Sequence, residues 1–374
     1  MKKSFISGNI AIAEGAIAAG MRFFAGYPIT PASDIMEYLA EKLPNIGGVV
    51  IQFEDEIASI NAAIGASWAG VKSMTATSGP GFSLMLEALG LAIITETPLV
   101  VVDVMRAGPS TGVPTKTSQS DVMQVRYGAH GDYVIPVFAP WSAQEAYDLT
   151  IKAFNVAESL RTPVILLSDA VVAHLWESVL LAEPGEIEVI NRKKPSNPPD
   201  EYLPYKPDND LVPPMATFGE GYNVIVESLI HDERGFYRQD RETYCNLVKR
   251  IVSKVLSRVD SLFEVETYYG DDYKYLLVSF GSTARSALAA VRILRKSGIK
   301  AGLLRLKTLS PLKLETLRKY CEEAEKIFVV ENNMGKLVYD VERVTGNDKV
   351  ISLPLLDLEI PEPKDIVEGV RKWL

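Results

Sequence analysis

The stretch Val49-Val50-Ile51-Gln52-Phe53-Glu54-Asp55-Glu56-Ile57-Ala58-Ser59-Ile60-Asn61-Ala62-Ala63-Ile64-Gly65-Ala66 decides the fold. It opens with a short apolar run, which has the length and composition of a buried parallel strand. Three carboxylates follow, and then small and aliphatic side chains at helical spacing. Acidic groups are favoured at a helix N-terminus, where the peptide dipoles leave partial positive charge, so the triplet marks a strand-to-helix junction. The same alternation repeats outward. Apolar runs at 99–104, 164–167, 275–280 and 327–330 read as further buried strands. Residues 9–19, 32–42, 57–69, 83–94 and 143–159 read as helices, with Gly20 and Gly70 as stop signals. This succession predicts an α/β protein built on parallel sheet.

At 374 residues the chain exceeds one domain of roughly 100–200 residues, and its composition changes in the middle. Eight of its 22 prolines fall within 184–214, beside Lys193-Lys194 and Pro207-Asp208-Asn209-Asp210, which predicts an extended arm or linker. Helical spacing resumes over 242–262 through Leu247, Ile251, Val255, Val259 and Leu262. The predicted division is 1–183, an arm with its connecting helix at 184–265, and a second α/β domain at 266–374. The last contains helices at 286–296, 313–324 and from 364, and a strand at 300–306.

The 39 basic and 48 acidic residues leave a formal charge of −9, without the cationic excess that a phosphate backbone requires, so nucleic acid is excluded as a partner. Cys245 and Cys321 are too few and too far apart for an iron–sulfur motif, a four-cysteine zinc site or a disulfide framework. Apolar runs stay short of the ~18 residues of a membrane span. Asn9 and Glu14 interrupt the run that follows Met1-Lys2-Lys3, so no signal peptide is expected. A soluble protein of the reducing cytoplasm fits.

Ligands of open α/β sheets bind beyond the carboxyl ends of the strands. Past residues 23–25 stands Gly26-Tyr27-Pro28-Ile29-Thr30-Pro31. The prolines flanking Ile29-Thr30 deny helix and central strand and hold the Thr30 hydroxyl in a turn; a plain turn or N-cap threonine is the alternative. Past 49–53, three carboxylates exceed what dipole placement needs. The small side chains after them allow close packing by another helix or subunit, so an acid there is buried and its pKa raised. Thr77-Ser78-Gly79-Pro80-Gly81-Phe82-Ser83 precedes a helix, and its glycines permit close backbone approach, but it matches neither the dinucleotide fingerprint nor the phosphate loop. Past 99–104, Arg106 is a strand-end cation suited to bidentate pairing with a carboxylate, or to a structural ion pair. The polar loop 109–117 that follows, with Lys116 as its one cation, is a lid or an ordinary surface loop. His130, His174 and His231 show no metal-ligand spacing, and His231-Asp232-Glu233-Arg234-Gly235 reads as a polar turn.

These motifs, together with Gly8-Asn9, Glu14-Gly15-Ala16, Thr75-Ala76-Thr77, Pro214-Met215-Ala216-Thr217-Phe218-Gly219 and Val330-Glu331-Asn332-Asn333, resemble the α subunits of 2-oxoacid:ferredoxin oxidoreductases over nearly the whole chain. The match is closest to those acting on 2-oxoglutarate. The resemblance implies a thiamine-diphosphate-type pyrimidine-binding domain followed by a transketolase C-terminal-like domain. It implies oxidative decarboxylation of 2-oxoglutarate to succinyl-CoA, with thiamine diphosphate at the interface with a β subunit. That subunit would carry magnesium and an iron–sulfur cluster. Ferredoxin and coenzyme A are the other implied partners, in an (αβ)2 or larger assembly with accessory subunits. The chain is expected to be inactive alone.

By position, Glu56 resembles the family's cofactor-activating acid, which shares a proton with N1′ of the aminopyrimidine. Thr30 and Arg106 resemble the hydrogen-bond donor and charge clamp for the 2-oxoacid. Tyr27, Pro28, Ile29, Gly79 and Gly81 fall around the cofactor. Lys116 is assigned, by loop position alone, to a distal carboxylate or to coenzyme A. Ala32 stands where the family often has Ser or Thr, which leaves the following helix to be capped by Ser33 or Thr30. Two other readings stay open: a pyruvate or branched-chain 2-oxoacid substrate, and a non-catalytic binding or scaffolding protein. Gly281-Ser282-Thr283 and Glu331-Asn332-Asn333 end strands of the second domain and are read as dimer contacts ahead of ligand residues.

Overall fold

The computed structural model describes residues 2–183, 185–346 and 348–374. Pro184, the first proline of the predicted arm, lies outside the described residues, as do Met1 and Asn347. The chain begins with β1 (Lys2–Ser7) and α1 (Gly8–Ala18), whose cap is the Ser7 hydroxyl accepting the Ile10 N–H. Alternation follows through β2 (Phe23–Gly26), α2 (Ser33–Lys42), β3 (Val49–Gln52), α3 (Glu56–Trp68), β4 (Ser73–Thr77), α4 (Gly79–Ile94) and β5 (Leu99–Met105). Next come α5 (Val122–Tyr127), β6 (Val137–Phe138), α6 (Ala143–Leu160), β7 (Pro163–Asp169), α7 (Ala170–His174) and β8 (Trp176–Leu181). Beyond the arm, α8 (Arg241–Leu256) and α9 (Val259–Leu262) lead to β9 (Val265–Tyr268), β10 (Tyr275–Phe280), α10 (Thr283–Lys296), β11 (Ala301–Leu306) and β12 (Thr308–Ser310). The chain closes with α11 (Leu314–Glu322), β13 (Lys326–Glu331), α12 (Val338–Thr345), β14 (Val350–Pro354) and α13 (Pro363–Arg371).

The first sheet runs β12-β6-β7-β5-β4-β2-β3, parallel throughout except at β12. β4, β5 and β7 are wholly buried, as strands covered by helices on both faces must be. β3 departs from expectation. It is the edge strand, and Val49 and Ile51 stay exposed although the run reads as buried. α4 begins at Gly79, not at Ser83, because proline is tolerated in a first helical turn, where its missing N–H forfeits no bond. α2 has Ala32 at its N-cap and no side-chain cap, so neither Ser33 nor Thr30 fills that role.

The second sheet, β14-β13-β10-β11-β9, is parallel except at β9. α10 and α13 cover it through Ala287, Val291, Ile366 and Val370. β1 and β8 form a separate antiparallel pair. These antiparallel strands were not legible, because a search for buried apolar runs passes over short strands on open edges. The two halves are not separate: β12 from the second pairs with β6 of the first, and one buried cluster extends from Ile60 and Phe82 to Leu306 and Val329.

No helix or strand is assigned to the described arm residues before α8. Buried cations hold it instead. Fully buried Arg161 donates to the carbonyls of Pro204, Pro213 and Pro214 at 3.0, 3.2 and 3.1 Å. Carbonyls in an irregular, proline-rich segment have no ladder partner and need an outside donor. Arg192 pairs with Glu158 at 2.6 Å, and Glu96 takes Arg250 and Lys254, each at 2.6 Å. His231 is buried, its Nδ1 2.8 Å from the Leu229 carbonyl and its ring 4.0 Å from that of Tyr205; the residues after it form the polar turn. No helix among the described residues is long and apolar enough to cross a membrane.

Candidate active site at the strand ends of the first sheet

β5, β4, β2 and β3 are neighbouring parallel strands, so the segments leaving their carboxyl ends meet at one edge. The acidic triplet after β3 divides into three environments. Glu54 is exposed. Asp55 caps α3: Oδ1 accepts the Ala58 N–H at 2.8 Å, and its carbonyl accepts the Ser59 hydroxyl at 2.8 Å. Glu56 is thereby freed from capping and turns inward, 4 % exposed. The Thr77 hydroxyl, at the end of β4, stands 3.4 Å from Glu56 Oε1. Burial pushes the Glu56 pKa up, opposed by its backbone N–H and by Thr77; Asp55 adds to the rise and Arg106 works against it. Such a carboxyl holds its proton closer to neutrality than a solvated glutamate does.

Gly81, in the first turn of α4, makes the room. A Cβ there would stand 2.2 Å from Glu56 Oε1 and 2.0 Å from Thr77 Oγ1. Gly79, one turn edge away, would place a Cβ 3.2 Å from Asp121 Oδ2.

Arg106 lies just past β5 and is nearly buried. Nη1 donates to the Thr30 carbonyl at 2.8 Å and Nη2 to the Thr111 carbonyl at 2.9 Å, which staples the β2 turn to the loop after β5. Its buried Nε has no partner. Thr30, Tyr27 and Pro28 are exposed beside it, while Ile29 packs partly on the core. A cavity of about 750 Å³ opens here, lined by Gly79, Arg106, Asp121 and Gln124 from the first half and by Met334 and Lys336 from the second. Of the residues expected from sequence it takes in Gly79 and Arg106; Glu56, Gly81, Thr30 and Tyr27 do not line it.

Lys116 is not part of it either. Its ammonium pairs with Glu359, and the neighbouring Thr117 N–H donates to the Leu358 carbonyl at 3.2 Å. A carboxylate of the same chain takes the charge that the loop position offered to a ligand. The lysine that lines the cavity, together with Arg106, is Lys336.

Gly281-Ser282-Thr283 and Glu331-Asn332-Asn333 are joints within the chain, which corrects their reading as dimer contacts. Asp169 accepts the Ser282 N–H at 2.9 Å. Gln119 donates through Nε2 to the Phe280 carbonyl at 3.0 Å, its N–H donates to the Asn332 carbonyl at 2.9 Å, and its own carbonyl accepts Asn333 Nδ2 at 2.7 Å. Glu331 accepts the N–H groups of Lys336, Leu337 and Val338 at the start of α12. The second half thus braces the segment that carries Asp121 to the cavity wall.

Two residues were missed at the level of sequence. Asp103 sits in mid-β5 with no exposure and Asp121 on the cavity wall. Neither Asp103 oxygen has a well-formed hydrogen bond, although the Gly79 backbone N–H and the Arg106 charge favour its ionised form. Burial drives the Asp103 pKa well up, and the charge of Asp121 adds to the rise. Asp121 is itself pushed up to about 6 by burial, against the pull of Arg106. The signal was available: a lone acid inside Leu99-Val100-Val101-Val102-Asp103-Val104-Met105, where a strand buried on both faces should carry no charge.

The unfolded chain ionises Asp103 near pH ~4, whereas the folded chain resists, so the penalty is absent below that pH and grows as pH rises towards the folded-state pKa. The thermal unfolding midpoint of Asp103→Asn, which cannot ionise, should improve relative to the parent as pH rises from about 4 to about 8. Calorimetry at several pH values checks this; a difference independent of pH contradicts it.

A buried glutamate with a raised pKa at the strand ends of a parallel sheet, followed by a second α/β unit, fits the pyrimidine-binding type of thiamine-diphosphate subunit. The profile described as pyruvate flavodoxin/ferredoxin oxidoreductase, thiamine diphosphate-binding, matches residues 14–249, and that of pyruvate:ferredoxin oxidoreductase core domain II matches residues 274–356. The chain belongs to this oxidoreductase family. It is 48% identical to the 2-oxoglutarate synthase subunit KorA of Methanothermobacter marburgensis over 98% of both chains. It is 49% identical to the subunit of the same name from Methanocaldococcus jannaschii, over 99% of this chain and 100% of that one. Among solved structures, the 2-oxoglutarate:ferredoxin oxidoreductase of Magnetococcus marinus, with 2-oxoglutarate, coenzyme A and succinyl-CoA bound, matches with a TM-score of 0.94 at 34% identity. That match covers 99% of this chain, which spans 65% of the solved one.

Proposed function

We propose that the chain is the α subunit of a 2-oxoglutarate:ferredoxin oxidoreductase, which with a β subunit decarboxylates 2-oxoglutarate oxidatively to succinyl-CoA. Glu56 carries the reading: an acid relieved of capping by Asp55, buried, and given space by Gly81. These residues fit half of a thiamine-diphosphate site. Glu56 would hold the aminopyrimidine through a shared proton, with Tyr27, Pro28, Ile29, Gly79 and Gly81 around it. The bound cofactor would supply the nucleophilic carbon and electron sink that decarboxylation of a 2-oxoacid needs. Arg106 offers the anionic end of the substrate the donors it does not spend on Thr30 and Thr111, and the Thr30 hydroxyl offers a bond to the carbonyl.

The pyrophosphate-binding half, its magnesium ion and the iron–sulfur cluster that passes electrons to ferredoxin belong, in this reading, to the β subunit in an (αβ)2 or larger cytoplasmic assembly. Two distant cysteines cannot ligate such a cluster. The face for the partner is supported by exposed apolar groups beside the half-site: Val49 and Ile51 on the β3 edge and Ile57 on α3. Exposed Asn61 and Gly65 continue the Ile57 face along α3, small enough for a close helix contact. An apolar edge of this kind is stable when another chain covers it.

The test is steady-state ferredoxin reduction by the chain assembled with its β subunit, with 2-oxoglutarate, pyruvate and 2-oxoisovalerate in competition. The expected result is coenzyme-A-dependent reduction with kcat/KM for 2-oxoglutarate at least ~10-fold above the others. A higher value for pyruvate or the branched acid replaces the substrate. No coenzyme-A-dependent reduction with any 2-oxoacid removes the enzymatic reading.

A further inference from the structure

Of the side chains lining the cavity, Asp121 is the acid and Arg106 and Lys336 are the bases. A 2-oxoacid enters as an anion, and an ionised Asp121 would oppose it. Yet Asp121 is not spent on neutralising Arg106, whose outer nitrogens bond the Thr30 and Thr111 carbonyls. Asp121 Oδ2 is buried without a partner, and so is Arg106 Nε. An ionised carboxylate with one oxygen buried and unbonded is costly, whereas in the neutral acid that oxygen is an uncharged carbonyl and the O–H sits on Oδ1, the oxygen not so enclosed. Gly79 lies close against Asp121: a Cβ there would stand 3.2 Å from Oδ2. The charged groups that bear on it are Asp103 within β5 and Arg106 beyond that strand; Glu56, at the start of α3, acts on Arg106, and Lys336, ahead of α12, shares the cavity wall.

We propose that Asp121 is a substrate-binding residue that acts as a neutral carboxylic acid, donating its O–H to a carboxylate or carbonyl oxygen of the 2-oxoacid, with protonated Asp103 behind it. The proposal rests on the function proposed above and adds a residue to that site. The proton balance is simple: it is on Asp121 already, or is drawn from solvent as the anion docks, and no other bond changes. With both acids neutral, the charge of Arg106 and Lys336 is left to the ligand. The direction of the Asp121 shift agrees, since burial has moved its ionisation up to about 6 and a bound anion moves it further.

The assembled complex tests this through kcat/KM for 2-oxoglutarate measured from about pH 5.5 to about 8.5, a range in which the substrate does not titrate. In the parent it should fall by up to ~10-fold per unit once Asp121 ionises. Asp121→Asn donates from its amide without titrating, so it should keep kcat/KM within ~10-fold at the optimum and lose that falling limb. Asp121→Leu has no donor and should lose about 100-fold, mainly through KM. The proposal is overturned if Asp121→Asn keeps the limb, or if Asp121→Leu, with an unchanged unfolding midpoint, equals it. Should Asp121→Leu fail to fold, the asparagine profile decides. An active parent with an unmoved limb removes Asp121 alone; a parent that turns over no 2-oxoacid removes the underlying function and this inference with it.

Discussion

Glu56→Gln, assembled with the β subunit, is expected to lower kcat for 2-oxoglutarate by about 10²–10⁴-fold, the range that a positioned acid–base group supplies. Glutamine fills the same space beneath Gly81 and can still accept from Thr77, so packing is preserved. What it lacks is a transferable proton. Replacing a buried acid whose pKa is raised should also leave the unfolding midpoint equal or slightly higher, and increasingly so as pH rises, because only in the parent does ionisation favour the unfolded chain. Rate loss with intact stability separates chemistry from structure. Full coenzyme-A-dependent activity in the variant would withdraw Glu56 from the reaction.

Gly81→Ala should be nearly as damaging by a different route. The added methyl would stand 2.2 Å from Glu56 Oε1 and 2.0 Å from Thr77 Oγ1, far inside the ~3.5–4.0 Å of ordinary contact. Alanine is intrinsically better than glycine in a helix by up to ~1 kcal/mol, so any net destabilisation reports the clash. Overpacking of this kind costs about 1–3 kcal/mol, and displacing a reacting group by ~1 Å costs about 100-fold in rate. Urea unfolding and kcat together test it. Wild-type values for both would mean that Glu56 is not confined where the geometry puts it.

Much of the architecture could be read from local pattern, because strands buried on both faces are apolar throughout and the helices between them keep their own period. The acidic triplet drew attention for a sound reason, namely two more charges than capping requires, of which Glu54 stays exposed and Glu56 is buried. Thr30, Gly79 and Arg106 were legible as strand-end residues. Arg106 was read as a clamp, but its bonds to two backbone carbonyls were not foreseeable from spacing. Asp103 was legible and passed over, hidden in a run scored for hydrophobicity.

Local chemistry along the chain settles where the buried parallel strands and most helices lie, that Asp55 and Glu56 stand at one of their junctions, and that no cysteine cluster is present, since each depends on neighbours within a few residues or on composition. Folding settles the rest. Which acid is buried, that Lys116 pairs with a carboxylate 243 residues away, that Lys336 joins Arg106 in lining the cavity, and that β12 crosses back to the first sheet all depend on which surfaces meet. Burial and charge pairing are properties of that meeting in space, and a one-dimensional pattern carries no distance between its distant parts.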